Sequence, residues 1–229
     1  GEKMFQVLQS QYQLIVSKVA HADGVAPLLL RLILAPVMII AGYSKLGLST
    51  EWHSISDALL ADPNVVAWFG NTQWGLGLPF PDLLAFLAAW SEFLGGWLLL
   101  FGFLTRLVTI PLMITMLVAA TTVHWSHGWF AITPLDPNTS SAKVLHWVGF
   151  NQAQQSLDNS IQTKKRLEII HDIVDEHGNS DYLYQHGRPV ILNNGIEFSA
   201  MYFVMLLSLF FTGGGRYTSL DYWLLSKRA

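Results

Sequence analysis

Four stretches of this chain have the length and composition of membrane-spanning helices. Each contains at most two charged residues, and a transmembrane helix needs roughly 20 mostly apolar residues. Only 13% of the 229 residues are charged, whereas a soluble domain usually carries about 25%. The sequence therefore predicts an all-α integral membrane protein, built as a bundle of four transmembrane helices. The four predicted spans are residues 27–47, 82–104, 106–125 and 194–212.

The connection between the third and fourth spans is too long for an ordinary loop and indicates a small extramembrane layer. Residues 155–177 have apolar side chains at helical spacing, and Gly178 is well placed to end that helix. Residues 182–192 have the pattern of a short β-hairpin, so the layer is expected to be α or α+β. The predicted organisation is an amphipathic N-terminal segment at 1–26, three spans within 27–130, the insertion at 131–193, and the last span with a basic tail at 194–229.

The distribution of basic residues predicts the orientation. Arg31 and Arg106 mark two of the predicted span ends, and Arg216 follows the last span. Residues 48–81 contain no Lys or Arg. Because basic residues concentrate in cytoplasmic loops, both termini are expected in the cytoplasm and the insertion outside. The net charge of −3 provides no basic surface for nucleic acid, which leaves the lipid bilayer as the first expected partner.

Glu92 is the most unusual residue of the second span, because nearly every neighbouring side chain is apolar. A charge at that depth costs at least about 2.5 kcal/mol unless it is paired or faces a cavity. The candidate partners and working residues are Lys45, Glu197 and Arg31. A Lys45–Glu197 pair with Glu92 below it would form a polar track, either as a charge network that fixes helix register or as a proton path. Arg31, near the predicted cytoplasmic edge, could extend to the lipid headgroups.

Small residues surround Glu92 on one face of its span and predict a close helix–helix contact. They are Ala85, Ala88, Ala89, Gly95 and Gly96. Small side chains let a second helix approach closely in a membrane. We predict that a second helix makes this contact, and that Glu92 is coupled to a basic residue of the first span, with Lys45 as the first candidate.

Histidines provide a second group of candidate residues. His124 and His127 share a helical face at the outer end of the third span, and His146 follows in the insertion. Met113 and Met116 continue that stripe into the membrane. Imidazole and thioether groups suit reduced copper, while the alternative is ordinary core packing with hydrogen-bonded histidines. The chain has no cysteine, which excludes an internal disulfide or thiolate metal site.

Several short motifs, in order along the spans, resemble the DoxX family of small four-helix membrane proteins. The resemblance covers the four helices and not the 131–193 segment. The motifs are RL at 31–32, AGYSKL at 41–46, EFLGG at 92–96, GFLTR at 102–106, GIEF at 195–198, GGGRY at 213–217 and SLD at 219–221.

The resemblance implies a multi-pass protein of the bacterial inner membrane that works with other membrane or periplasmic subunits in a redox system. Quinone-linked thiosulfate oxidation is the family's named prototype. A quinone site here would use Lys45 or Glu92 as headgroup donor, and Trp90 and Trp97 as aromatic walls. The long insertion departs from the compact family pattern. It is similar to that of DoxX-like proteins associated with clusters for copper-binding modified peptides.

Two alternatives to the quinone-linked subunit remain. One is a non-enzymatic membrane scaffold or partner subunit, with the N-terminal segment and the insertion as docking surfaces. The other is an accessory for copper handling or peptide maturation, which would use the outer histidines. The sequence does not decide whether the chain is an enzyme.

Overall fold

The computed structural model describes residues 2–51 and 53–225, so the last four residues of the predicted basic tail lie outside the described part. Within those ranges the regular structure is helical, with isolated β-bridges and no named strand. The helices are α1 (Glu2–Val19), α2 (Val25–Tyr43), α3 (Ile55–Leu59), α4 (Pro63–Gly70), α5 (Pro81–Phe101), α6 (Thr105–Val118), α7 (Ala142–Trp147), α8 (Gln152–His177), α9 (Ser180–Leu183), α10 (Glu197–Thr212) and α11 (Leu220–Leu224).

Three helical stretches are long and apolar enough to cross a membrane. They are α2, α5 and the stretch Thr105–His127, in which α6 continues through a π-helical and a 3₁₀ turn. The apolar helix α10 has 16 residues, which is shorter than the roughly 20 that a span needs. The protein is therefore an all-helical membrane protein with three candidate spans, and a fourth span remains a proposal.

The chain divides into two compact units. Unit 1 contains the residues up to Val123 together with those from Ser199 onward, and unit 2 is His124–Phe198. The core of unit 1 is built from fully buried leucines and methionines of α2, α5, α6 and α10. It includes Leu34, Met38, Leu99, Leu112, Leu206 and Leu209.

The close contact predicted for the second span is present between α2 and α5. An added Cβ on Gly42 of α2 would overlap the backbone of Phe93, and one on Gly96 of α5 would lie 2.8 Å from the backbone nitrogen of Ile39. The two helices approach so closely because small residues occupy both sides of the interface.

The first span ends earlier than predicted. Helix α2 stops at Tyr43, and Lys45 donates its backbone N–H to Gly42 O in the turn that follows. Leu46 then forms an antiparallel bridge with Ala61. The predicted end at residue 47 was wrong because this bridge pairs the backbone beyond Tyr43 with the connection that follows.

In unit 2 the predicted long helix is confirmed and the predicted hairpin is wrong. Helix α8 runs over Gln152–His177, and Gly178 ends it by donating its N–H to Val174 O. The first half of the expected hairpin is instead the short helix α9, in which Asn179 Oδ1 accepts a hydrogen bond from Tyr182 N at 3.1 Å. An N-cap of this kind outweighs the β-propensity of the Tyr-Leu-Tyr run.

Candidate functional site

Partly exposed Lys45 and buried Glu92 form an ion pair between the end of α2 and the middle of α5. Glu92 lies in the middle of α5 with 4% of its surface exposed. The Lys45 Nζ lies 2.5 Å from Glu92 Oε2 and donates a second hydrogen bond to Ala41 O at 3.0 Å. Lys45 reaches this position because α2 ends two residues earlier and the turn directs its side chain back toward α5.

The environment makes this pair costly to break. Two opposite charges in a low-dielectric interior stabilise each other, but removing one partner leaves the other without compensation. The ammonium group carries protons that it can donate, and the carboxylate can accept one. The pair can therefore either fix the register of α2 on α5 or exchange a proton with a bound molecule.

The predicted aromatic walls do not face this pair. Side chains leave a helix 100° apart, so Trp90 and Trp97 point roughly 160° and 140° away from Glu92 around α5. Trp90 Nε1 donates a hydrogen bond to Leu59 O at 2.8 Å. Trp97 is 41% exposed and stacks on Phe101. A cofactor-binding role for the two indoles stays a prediction that this geometry does not favour.

Aromatic side chains nearer to the pair come from its chain neighbours. Tyr43 precedes Lys45 by two residues, and Phe93 follows Glu92 directly. The two rings contact each other across the α2–α5 interface with centroids 6.2 Å apart. Phe93 also contacts Trp90, with ring centroids 6.0 Å apart.

Arg31 is buried rather than extended toward headgroups. Only 1% of its surface is exposed. Its Nη1 donates to Leu100 O at 2.9 Å and its Nη2 to Thr218 O at 2.7 Å. The last carbonyls of a helix have no partner within that helix, and Arg31 satisfies those at the end of α5. The expected headgroup contact was wrong, because the Arg31 side chain is buried and directed at these carbonyls.

Asp221 is a positioning residue that the sequence analysis missed. Its Oδ1 accepts a hydrogen bond from Leu104 N at 2.7 Å, and its Oδ2 accepts one from Thr105 N at 2.9 Å. These contacts cap the N-terminus of α6 from a position 116 residues further along the chain. Asp221 lies within the SLD motif at 219–221, but the motif alone gives no indication of its distant partners.

Comparison with known proteins identifies the part of the chain that contains α5, α6 and nearly all of α2. The DoxX family model matches residues 26–125, which contain Arg31, Lys45 and Glu92. The chain therefore contains a DoxX domain. No curated protein and no solved structure matches it. The matched DoxX domain thus contains the Lys45–Glu92 pair, while Asp221, α10 and most of unit 2 lie outside the match.

Glu197 lies outside the DoxX domain, at the start of α10 and in unit 2. Its Oε2 accepts a hydrogen bond from Ala131 N at 2.9 Å. The carboxylate therefore holds the first residue of the insertion against the start of α10. Its predicted pairing with Lys45 remains untested, while Lys45 has Glu92 as its partner within the DoxX domain.

The outer histidines do not converge in the described residues. His124 Nδ1 lies 2.9 Å from Asn194 O, and the backbone carbonyl of His127 accepts a hydrogen bond from Asn193. In residues 2–51 and 53–225, no group of three or more His, Cys, Asp or Glu side chains is arranged to hold a metal ion. Met116 is buried in the core of unit 1, and Met113 packs against it. Copper binding at His124, His127 and His146 stays a prediction without support from this geometry.

Proposed function

We propose that this chain is a membrane subunit of a quinone-linked redox system in the bacterial inner membrane. The observation that carries the proposal is the Lys45–Glu92 pair of the DoxX domain, in which Lys45 Nζ lies 2.5 Å from the Oε2 of an acid in the middle of the candidate span α5. Intramembrane ionisable residues commonly mark proton or substrate pathways.

The chemistry of quinone reduction fits an acid–base pair. A quinone takes up two electrons and two protons to become a quinol, and an electron-donating partner subunit would supply the electrons. The Lys45 ammonium would donate a hydrogen bond to a quinone carbonyl, and the Glu92 carboxyl group would relay protons. Tyr43 and Phe93 would border the quinone ring.

The proposal includes the finer features of the topology. It takes α10 as the fourth span, places both termini in the cytoplasm, and places unit 2 outside the membrane. The basic residues near the predicted span ends support this orientation.

The test measures quinone binding directly. The wild-type chain, reconstituted in lipid nanodiscs, is titrated with decylubiquinone and binding is followed by tryptophan fluorescence. Glu92→Gln keeps the shape and removes the charge, and we expect at least about tenfold weaker binding. Asp82→Asn is the matched control, because Asp82 is an exposed carboxylate on the same helix. If Glu92→Gln folds and binds decylubiquinone as the wild type does, the pair has only a structural role.

A second candidate function is that of a non-enzymatic partner subunit. The exposed apolar side chains of α1 favour it. The apolar stripe of α1 is exposed, with Phe5 at 69%, Leu8 at 61% and Tyr12 at 68%. Such a stripe needs a membrane surface or another protein to cover it.

An environment-sensitive fluorophore on α1 distinguishes burial of its apolar stripe by the membrane surface from burial by a partner protein. The chain has no cysteine, so Leu8→Cys carries the label alone, and Ser10→Cys on the opposite face of α1 is the control. If α1 lies on the membrane, the Leu8 label is blue-shifted in nanodiscs that contain the purified chain alone. If a partner subunit covers the stripe, the blue shift appears only when the label is read in native membranes.

A further inference from the structure

A cavity of about 790 Å³ lies in unit 1 between the start of α6 and the turn that follows α10. Two arginines, Arg106 and Arg216, line it together with Thr105 and the glycines Gly213–Gly215. Gly213 and Gly215 have φ values of +78° and +98°, which favour glycine. The turn therefore keeps this side of the cavity free of side chains.

Arg106 is available to a ligand. In the described ranges its guanidinium takes part in no ion pair. It lies against the glycine turn, since an added Cβ on Gly213 would be 3.3 Å from Arg106 Nε. Arg216 is partly engaged, with Nη1 3.6 Å from Asp23 Oδ2 and its guanidinium 5.6 Å from the ring centroid of Tyr217.

A buried hydroxyl without a partner marks the same wall. Thr105 is fully buried, and its Oγ1 has no hydrogen-bond partner among the described residues. An added Cβ on Gly214 would lie 2.7 Å from that oxygen, so the hydroxyl is directed at the glycine turn. Buried polar groups are normally satisfied, and a bound acceptor would satisfy this one.

The rest of the cavity wall has an apolar part, beside which Thr212 and Ser219 also line the cavity. Leu104, Leu107, Tyr222 and Leu225 form the apolar part. A hydrogen bond with Tyr217 raises the pKa of the Tyr222 phenol above its ordinary value. Asp221 also lines the cavity, but both of its carboxylate oxygens accept backbone hydrogen bonds. Its remaining negative charge disfavours a doubly charged free phosphate more than a singly charged diester.

We propose that this cavity binds the phosphate group of a phospholipid. Arg106 and the Thr105 hydroxyl would contact the phosphate, Arg216 would lie at the entrance, and the leucines would contact the acyl chains. Arginine matches the geometry of phosphate oxygens through paired N–H groups. The site is separate from the Lys45–Glu92 pair and does not depend on the function proposed for that pair.

The test compares the contribution of the phosphate group to binding with that of the rest of the lipid. Detergent-purified protein is titrated with dioctanoyl phosphatidylglycerol, with dioctanoylglycerol, which lacks the phosphate, and with inorganic phosphate. Native mass spectrometry counts bound molecules, and the melting temperature reports stabilisation by the ligand. We expect phosphatidylglycerol to bind at least about tenfold more tightly than dioctanoylglycerol. Equal binding of the two lipids would overturn the proposal, and displacement by millimolar inorganic phosphate would identify the free ion as the ligand.

Two variants locate the site. Arg106→Gln should weaken phosphatidylglycerol binding at least about tenfold, whereas Arg188→Gln, an exposed arginine of unit 2, should leave it unchanged. Thr105→Val keeps the shape and removes the hydroxyl, so the lipid-free protein should be as stable as the wild type or more stable, while lipid binding weakens. Should Arg106→Gln fail to fold, Thr105→Val decides alone. Unchanged lipid affinity in the folded variants would overturn the assignment.

Discussion

The Nζ of Lys45 lies 2.5 Å from the Oε2 of Glu92 in the interface of α2 and α5. Both residues lie in the DoxX domain, and Glu92 is almost fully buried. The pair joins the end of one helix to the middle of another, so its energetic coupling can be measured with single and double substitutions.

We expect Glu92→Ala and Lys45→Ala each to lower the free energy of unfolding. The decrease should be about 3–5 kcal/mol for Glu92→Ala and smaller for Lys45→Ala, because Lys45 is partly exposed. Each single variant leaves the opposite charge unpaired. The double variant should therefore cost less than the sum of the two. Unfolding in mild detergent measures all four proteins, and strictly additive effects would show that the side chains are not coupled.

The cap from Asp221 predicts a distant effect on α6. Asp221→Ala leaves the N–H groups of Leu104 and Thr105 without acceptors and should cost about 1–3 kcal/mol. Asp221→Asn keeps one acceptor oxygen and should cost less. Hydrogen exchange should rise at the first turn of α6 in both variants. Asp181→Ala, an exposed acid in unit 2, is the control and should change stability by less than about 0.5 kcal/mol.

Substitution by alanine should affect stability differently at the adjacent glycines Gly95 and Gly96 of α5. A Cβ on Gly96 would lie 2.8 Å from Ile39 N, whereas one on Gly95 would meet only side-chain atoms of Leu112 and Val108, at 3.4 Å. Gly96→Ala should cost about 1–3 kcal/mol because the helices must separate. Gly95→Ala should be neutral or stabilising by up to about 1 kcal/mol, since alanine favours the helix. Thermal melts compare the two, and similar losses in both would contradict the close approach of α2 to α5 at Gly96.

Cysteine labelling tests the proposed orientation. Asn159 is exposed on α8 and Ser10 is exposed on α1. In intact cells, a membrane-impermeant maleimide should label Asn159→Cys and should label Ser10→Cys only after permeabilisation. Labelling of both positions in intact cells would rule out a cytoplasmic N-terminus with unit 2 outside.

The sequence predicts those parts of the structure that depend on local composition, and those in which an unpaired charge would be very costly. The three long spans follow from apolar length, and α8 follows from its periodic spacing. The pairing of Glu92 with Lys45 could be anticipated because an isolated carboxylate at that depth is too costly. Small residues around Glu92 indicated where a second helix would approach.

The remaining features depend on contacts that sequence spacing does not encode. Arg31 looked like a headgroup anchor because its position near a span end says nothing about the carbonyls of Leu100 and Thr218. The Asp221 cap joins residues that are far apart in the chain. The expected hairpin at 182–192 failed because one side-chain cap from Asn179 favoured a helical turn.

The Asp221 cap also bears on the order in which the protein is assembled during synthesis. Thr105 leaves the ribosome 116 residues before Asp221, so the hairpin of α5 and α6 inserts while the first N–H groups of α6 still lack their acceptor. Water at the membrane surface must serve that role until α11 is made. A ribosome stalled before residue 221 would therefore hold a hairpin in which the first turn of α6 still lacks its cap.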